Sequence, residues 1–234
     1  KQRLHKQAKA RGMAFLGVAD LSEARDFIVQ QGGDSLSEYP LALSFGYRLL
    51  NNAVDSIKQH DDPAVAGHYW YYLYNIVNRY IDYTALELST LLQDAGYKAF
   101  IIPNSYAQHT GRLAALFSHK LAAHLAGHGW IGKSALLITP EYGPRVRWGT
   151  VLTNARILPA DKPFEGERCS SCTQCIDKCP VGAFTGLAFD SSKPRSNIFA
   201  AEKCDEYIIP TISAESRLHC GTCVYICPYG LKSR

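Results

Sequence analysis

The sequence predicts a mixed α+β protein in two parts, and three observations carry that prediction. Short apolar runs of strand length alternate with segments whose apolar residues recur at helical spacing. All eight cysteines fall between Cys169 and Cys227, and residues 1–168 contain none. Pro159, Pro163 and Gly166 interrupt regular structure just ahead of the cysteines. A division into residues 1–160 and 161–234 follows from these three together.

The elements can be justified in order. A helix over Leu4–Arg11 stops at Gly12, Met13–Ala19 supplies a buried strand, and a helix from Leu21 to Gln31 ends at Gly32-Gly33. Tyr39–Tyr47 contains Leu-Ala-Leu-Ser-Phe-Gly and reads as a second buried strand. Asn51–His60 is a helix broken by Asp61-Asp62-Pro63. Tyr69–Asp94 is the longest helical run, with Leu73, Ile76, Val77, Tyr80, Ile81, Leu88 and Leu91 at helical spacing. Gly96 closes it, and Ala99–Ile102 is a strand stopped by Pro103. A further helix is expected over Arg112–Ala126, ending at Gly127-His-Gly-Trp-Ile-Gly132, with strands at Ala135–Ile138 and Trp148–Leu152.

The cysteines identify the second part. Cys169-Ser-Ser-Cys172-Thr-Gln-Cys175-Ile-Asp-Lys-Cys179-Pro180 has the bacterial ferredoxin spacing for a [4Fe–4S] cluster. Cys220-Gly-Thr-Cys223-Val-Tyr-Ile-Cys227-Pro228 repeats its second half, and Cys204 stands upstream as the missing ligand. Zinc sites use separated Cys-x-x-Cys or Cys/His pairs rather than three thiols at successive spacing. A disulfide framework suits small secreted chains, whereas 234 residues at 47% hydrophobic composition can bury a core. Two [4Fe–4S] clusters are therefore expected. In the two-cluster ferredoxin pattern the cysteine before proline serves the other cluster. That pattern puts Cys169, Cys172, Cys175 and Cys227 on one, and Cys179, Cys204, Cys220 and Cys223 on the second.

Bulk properties narrow the setting. A net charge of +4 with 20% charged residues gives no argument for nucleic acid as a partner. No stretch reaches the ~18 apolar residues of a membrane span. Thiolate-bound clusters point to a reducing interior, so a cytoplasmic location is expected. The sequence begins at Lys1 without Met, which leaves a preceding leader open.

Three further stretches carry a family resemblance. Ser118-His-Lys-Leu-Ala-Ala-His-Leu-Ala-Gly-His-Gly-Trp-Ile-Gly-Lys133, Leu136-Leu-Ile-Thr-Pro-Glu-Tyr-Gly-Pro-Arg145 and Gly149-Thr-Val-Leu-Thr153 lead straight into the cysteines. Their order resembles the epoxyqueuosine reductases, a family related to the reductive dehalogenases. The resemblance implies a nitroreductase-like N-terminal domain that binds cobalamin, followed by a ferredoxin-like domain whose nearer cluster reduces it. It also implies a low-potential donor, a ferredoxin or flavodoxin, and a small-molecule substrate. Two departures stand against a tRNA substrate. Leu113 occupies the position of the family's proton-donating aspartate, and the chain ends shortly after Cys227, where the long enzymes continue into tRNA-associated helical repeats. Nucleic acid is accordingly not expected as a partner.

Other residues each allow two readings. His128, Gly129, Trp130, Ile131, Gly132 and Lys133 form either a cofactor loop, because glycines let backbone amides approach a ligand, or a tight turn with Trp130 in the core. Lys133 is the charged contact of the first reading. His124 and His128 are four apart, but without a third ligand a structural role is preferred. Tyr69, Tyr71, Tyr72 and Tyr74 are an aromatic helix face, with Tyr72 and also His119 as candidates for proton supply. Arg145 and Arg147 could bind an anion, with ion pairing as the default. The corrinoid-binding pattern Asp-x-His-x-x-Gly is absent. The expected function is an iron–sulfur oxidoreductase relaying electrons to a cobalamin; the alternative is a non-catalytic electron carrier, or a reducing partner for another corrinoid enzyme.

Overall fold

The computed structural model describes residues 1–104, 113–159, 163–190, 192–208 and 220–232. Two compact units share the chain, and neither is a single run of residues. The first takes Lys1–Arg48, Asn78–Gly129 and Arg147–Glu165; the second takes Leu49–Val77, Trp130–Val146 and Gly166–Arg234.

The elements in chain order begin with α1 (Gln2–Ala10), β1 (Phe15–Asp20), α2 (Arg25–Gly32) and β2 (Leu41–Arg48). Next come α3 (Asn51–Asp55), α4 (Pro63–Tyr71), α5 (Asn78–Asp94), β3 (Ala99–Ile102) and α6 (His119–Leu125). The remainder are β4 (Trp130–Ile131), β5 (Leu137–Ile138), β6 (Val146–Thr153), α7 (Gln174–Asp177), α8 (Ala201–Ile208), α9 (Thr222–Tyr225) and α10 (Pro228–Leu231).

The first unit is built on a four-stranded sheet in the order β1-β2-β6-β3. Strands β1 and β2 pair antiparallel from Phe15 opposite Gly46 to Asp20 opposite Leu41, and β3 pairs antiparallel with β6 from Ala99 opposite Thr153. The central strands are covered on both faces, which is why they lack a polar alternation. Residues Ala42, Leu43, Ser44 and Phe45 of β2, and Thr150, Val151, Leu152 and Thr153 of β6, are fully buried. Ile28 of α2 and Leu121 of α6 join Ala42 and Leu152 in one apolar cluster. At α5, Ile81 lies close against Gly149 of β6. Glu87 of α5 accepts from Gln7 Nε2 at 2.8 Å and pairs with Arg11 beyond the end of α1.

Two expectations about helices and one about a strand need correction. Asp61-Asp62-Pro63 starts a helix as well as ending one: Asp62 Oδ1 accepts from the Ala64 amide at 2.9 Å and Pro63 sits at the first helical position. The long helical run accordingly begins at Pro63, and passes through a π-helical stretch at Tyr72–Val77 before α5. Helix α6 begins only at His119, because Ser118 Oγ caps it by accepting from the Leu121 amide, while Phe117 is committed to the apolar cluster. Arg112, its expected start, lies outside the described residues. The strand expected over Ala135–Ile138 shortens to β5, since Ala135 takes a left-handed φ of 54° incompatible with a strand.

The second unit has little regular structure. A two-residue hairpin pairs Trp130 with Ile138, and Phe184 and Phe199 stack at 5.3 Å beside an isolated bridge between them. Short helices α7 to α10 otherwise carry the cysteine loops.

Candidate metal centre

Cys169, Cys172, Cys175 and Cys227 line one cavity of the second unit, together with Lys133 and Tyr229. Local structure explains how they converge. The Cys172 amide donates to the Cys169 carbonyl at 2.8 Å, turning the chain between the first two thiols. Cys175 lies in α7, and Pro228 opens α10 so that Cys227 stands at its N-cap. The wall of this cavity is not confined to the cysteine stretch, because Lys133 and Ile138 belong to it.

The remaining cysteines form a second group. Burial, then the thiols of Cys220 and Cys179, push Cys204 up to about 11. Cys223 is pushed up by burial and by Cys220, Cys204, Cys175 and Cys179. Cys179 Sγ also accepts from the Ala183 amide at 3.3 Å. In the first group Cys175 is pushed up to about 11 by burial, then by Cys169, Cys227 and Cys172. Burial and neighbouring thiols thus oppose ionisation of Cys175, Cys204 and Cys223 unless a cationic core compensates it. None of the eight is in a disulfide. Among the described residues no three His, Cys, Asp or Glu side chains gather tightly enough for a single metal ion. A four-iron cluster takes its thiolates one per iron at separate corners, so this wider arrangement fits it.

The Gly-rich loop divides between the two groups of neighbours. The His128 ring stacks on Trp148 at 5.3 Å, and a Cβ on Gly17 would meet it at 2.8 Å. Burial pushes His128 down to about 4, leaving it a neutral packed ring. His124 Nδ1 lies 2.9 Å from the Gly129 carbonyl, a structural role for that histidine. Trp130 is 2% exposed and meets the Tyr229 ring edge-on at 4.8 Å, while Ile131 pairs with Leu137. A Cβ on Gly132 would come within 3.1 Å of Cys169 Sγ. Lys133 Nζ donates to the Ser170 carbonyl at 2.6 Å.

The other candidates are occupied within their own units. The Tyr72 hydroxyl accepts from the Leu50 amide at 2.9 Å. His119 Nδ1 is 2.9 Å from Thr150 Oγ1, and burial followed by the Arg147 charge pushes it down to about 4. Of the remaining tyrosines Tyr69 is buried, Tyr71 is 56% exposed and Tyr74 stacks with Trp70 at 6.0 Å. Arg145 is fully buried and bonded to Asp55 and Asn51, and Arg147 Nε donates to Asn78 Oδ1 at 2.8 Å. Leu113 is 42% exposed. The sequence gives no role to one further group: Asp82, pushed up by burial despite accepting from the Asn104 amide at 2.9 Å. Its signal was the four-residue spacing from Asn78, which puts both on one face of α5.

Residues 168–230 match the family described as a 4Fe-4S double cluster binding domain. The Bacillus cereus epoxyqueuosine reductase is 38% identical over 117 residues, which are 47% of this chain and 29% of the relative. That part of the chain is similar to the epoxyqueuosine reductases. A crystal structure of an epoxyqueuosine reductase with an epoxyqueuosine-modified tRNA stem loop superposes with a TM-score of 0.61 at 18% identity, covering 98% of this chain and 65% of that one. A reductive dehalogenase, in a structure described as suggesting a mechanism for B12-dependent dehalogenation, gives 0.65 at 15% identity, covering 97% of this chain and 31% of that one.

These likenesses show the expected fold: a mixed helix-and-sheet chain with a double-cluster region near its end. The aligned stretch spans under a third of the length of the B. cereus epoxyqueuosine reductase. The expectation that nucleic acid is no partner gains no support, since one epoxyqueuosine reductase of this fold holds a tRNA stem loop. Among the described residues no helix is long and apolar enough to cross a membrane.

Proposed function

We propose that this chain is an iron–sulfur oxidoreductase carrying two [4Fe–4S] clusters, and that it delivers electrons to a bound cobalamin. The observation that carries the reading is the gathering of Cys169, Cys172, Cys175 and Cys227 around one cavity, with 51 residues of sequence between Cys175 and Cys227. In this reading Cys179, Cys204, Cys220 and Cys223 hold the second cluster. When bound, the clusters supply one-electron relay from a low-potential ferredoxin or flavodoxin donor, and the corrinoid supplies the reduction of a small substrate.

The chain's own residues hold and orient these groups. On binding iron the eight thiols would ligate as thiolates, their protons leaving to solvent, which would reverse the upward push that burial imposes on Cys175 and Cys204. The organic cofactor is assigned here to residues 1–160 and the clusters to 161–234, although the compact unit that holds the cysteines also takes Leu49–Val77 and Trp130–Val146. Support for cobalamin comes from the likeness to the dehalogenase described as B12-dependent. His119 and His128 are poor lower ligands, because one is bonded to Thr150 and the other stacked on Trp148. Tyr72 and His119 serve in this reading as positioning groups.

The test is anaerobic purification with added cobalamin, followed by iron analysis and absorbance. About eight irons per chain together with corrinoid bands supports the full reading. Cluster bands without any retained corrinoid leave the electron carrier, which the exposed Leu113 at the position of the family's aspartate would then favour. Zinc in place of iron defeats both.

A further inference from the structure

The Gly-Trp-Ile-Gly-Lys stretch raises a sharper question, because its glycines and lysine invite a phosphate-loop reading. We infer that Trp130, Gly132 and Lys133 instead form the outer shell of the cluster held by Cys169, Cys172, Cys175 and Cys227, and that this shell sets that cluster's reduction potential. The inference rests on the proposed clusters being present.

Geometry carries it. Lys133 lines the same cavity as the four thiols, and its ammonium is directed at the cysteine loop, 2.6 Å from the Ser170 carbonyl and 3.5 Å from that of Cys172. Ser170 sits at a left-handed φ of 47°, a conformation that side chains other than glycine adopt sparingly. The ammonium thus engages the turn that fixes Cys169 and Cys172. Gly132 is needed for proximity: a Cβ there would meet Cys169 Sγ at 3.1 Å and Ile138 Cγ1 at 2.9 Å. Trp130 is locked above the same loop, its ring against Tyr229 and 6.0 Å from the Arg168 guanidinium, while the Tyr229 hydroxyl donates to the Arg168 carbonyl at 3.2 Å.

The Lys133 ammonium brings a positive charge to the cavity that the four thiols line. Groups that favour a thiolate also favour the extra negative charge of a reduced cluster. Reduction adds one electron from the external donor to the cluster and breaks no bond. Donors and a cation beside Cys169 therefore raise the potential relative to a bare site. His128 and Gly129 take no part, being engaged with Trp148 and His124.

Potentiometric titration of the anaerobically loaded full chain, followed by electron paramagnetic resonance, tests this. Lys133→Met removes the charge and keeps the stem; Trp130→Phe removes the indole N–H and keeps a ring. Each variant is expected to retain its iron and lower the midpoint of one cluster only. The expected size is about tenfold in the oxidised-to-reduced ratio at fixed poise, roughly 59 mV for a one-electron couple. Lys133→Arg should restore the midpoint. Unmoved midpoints in both variants at full iron content would overturn the inference. If Lys133→Met sheds iron, Trp130→Phe decides alone. A wild-type chain without clusters fails the underlying proposal, a result distinct from unmoved midpoints.

Discussion

Arg145, with no solvent exposure, donates through Nη2 to Asp55 Oδ1 at 2.7 Å, while the Asp55 side chain keeps 29% of its surface in water. Asn51 Oδ1 takes a second guanidinium nitrogen at 3.2 Å. Removing one partner of a buried pair leaves an uncompensated charge, at a cost of about 3–5 kcal/mol. Partial exposure of Asp55 puts Asp55→Ala near the lower end, about 3 kcal/mol. Asp55→Asn, which keeps an acceptor oxygen, should cost less. Urea unfolding of the metal-loaded chain measures both, and equal midpoints for wild type and Asp55→Ala would remove this pair from the account of the second unit.

Gly149 makes a packing prediction in the first unit. A Cβ added there would lie 2.4 Å from Phe45 Cε2 and 2.5 Å from Ile81 Cγ2, both deep in the core. Neither neighbour is the free end of a flexible side chain, so Gly149→Ala must shift a strand or a helix. Overpacking of this kind costs typically about 1–3 kcal/mol. Adding Phe45→Leu should recover part of the loss, because it withdraws the clashing ring edge. Additive losses in the double variant would show that the two residues do not share this space.

Apolar runs of strand length were legible in the sequence: those of β1, β2 and β3 needed no tertiary information, and in β2, a central strand, both faces are buried. The start of α6 was not legible, because it depends on Ser118 turning its hydroxyl to the Leu121 amide while Phe117 leaves for the core. The partition into units was hidden for a similar reason. Leu49–Val77 and Trp130–Val146 join the cysteine stretch through contacts between distant residues, which composition along the chain does not register. The eight cysteines stood out by spacing alone. The engagement of Lys133 with Ser170 did not, because it depends on where a backbone carbonyl points.

Two histidines predict an acid limit to stability. His119 and His128 are both pushed down from 6.5 to about 4, mainly by burial. Below pH 6.5 the unfolded chain takes up protons that the folded chain refuses until about pH 4. Stability therefore falls as pH drops through that window and is flat above it on their account. A shift of that size corresponds to roughly 3 kcal/mol per histidine at pH 4. Urea midpoints at pH 7 and pH 4.5 should differ more in the wild type than in His119→Gln, where a neutral side chain replaces the ring. An identical difference in both proteins would count against a buried neutral His119.

Cysteine substitutions test the pairing of thiols, with iron as the readout. Cys175→Ala removes a thiol from the group with Cys169, Cys172 and Cys227, and Cys223→Ala one from the other group. Each should reduce iron from about eight to about four per chain and erase a different paramagnetic signal. Cys179 is the discriminating position. It lies four residues after Cys175, yet its thiol neighbours Cys204 and Cys223. Cys179→Ala should therefore erase the same signal as Cys223→Ala, and the double variant of those two should still hold about four irons. Were Cys179→Ala to match Cys175→Ala instead, each motif would close on its own cluster, and Cys227 would leave the first group.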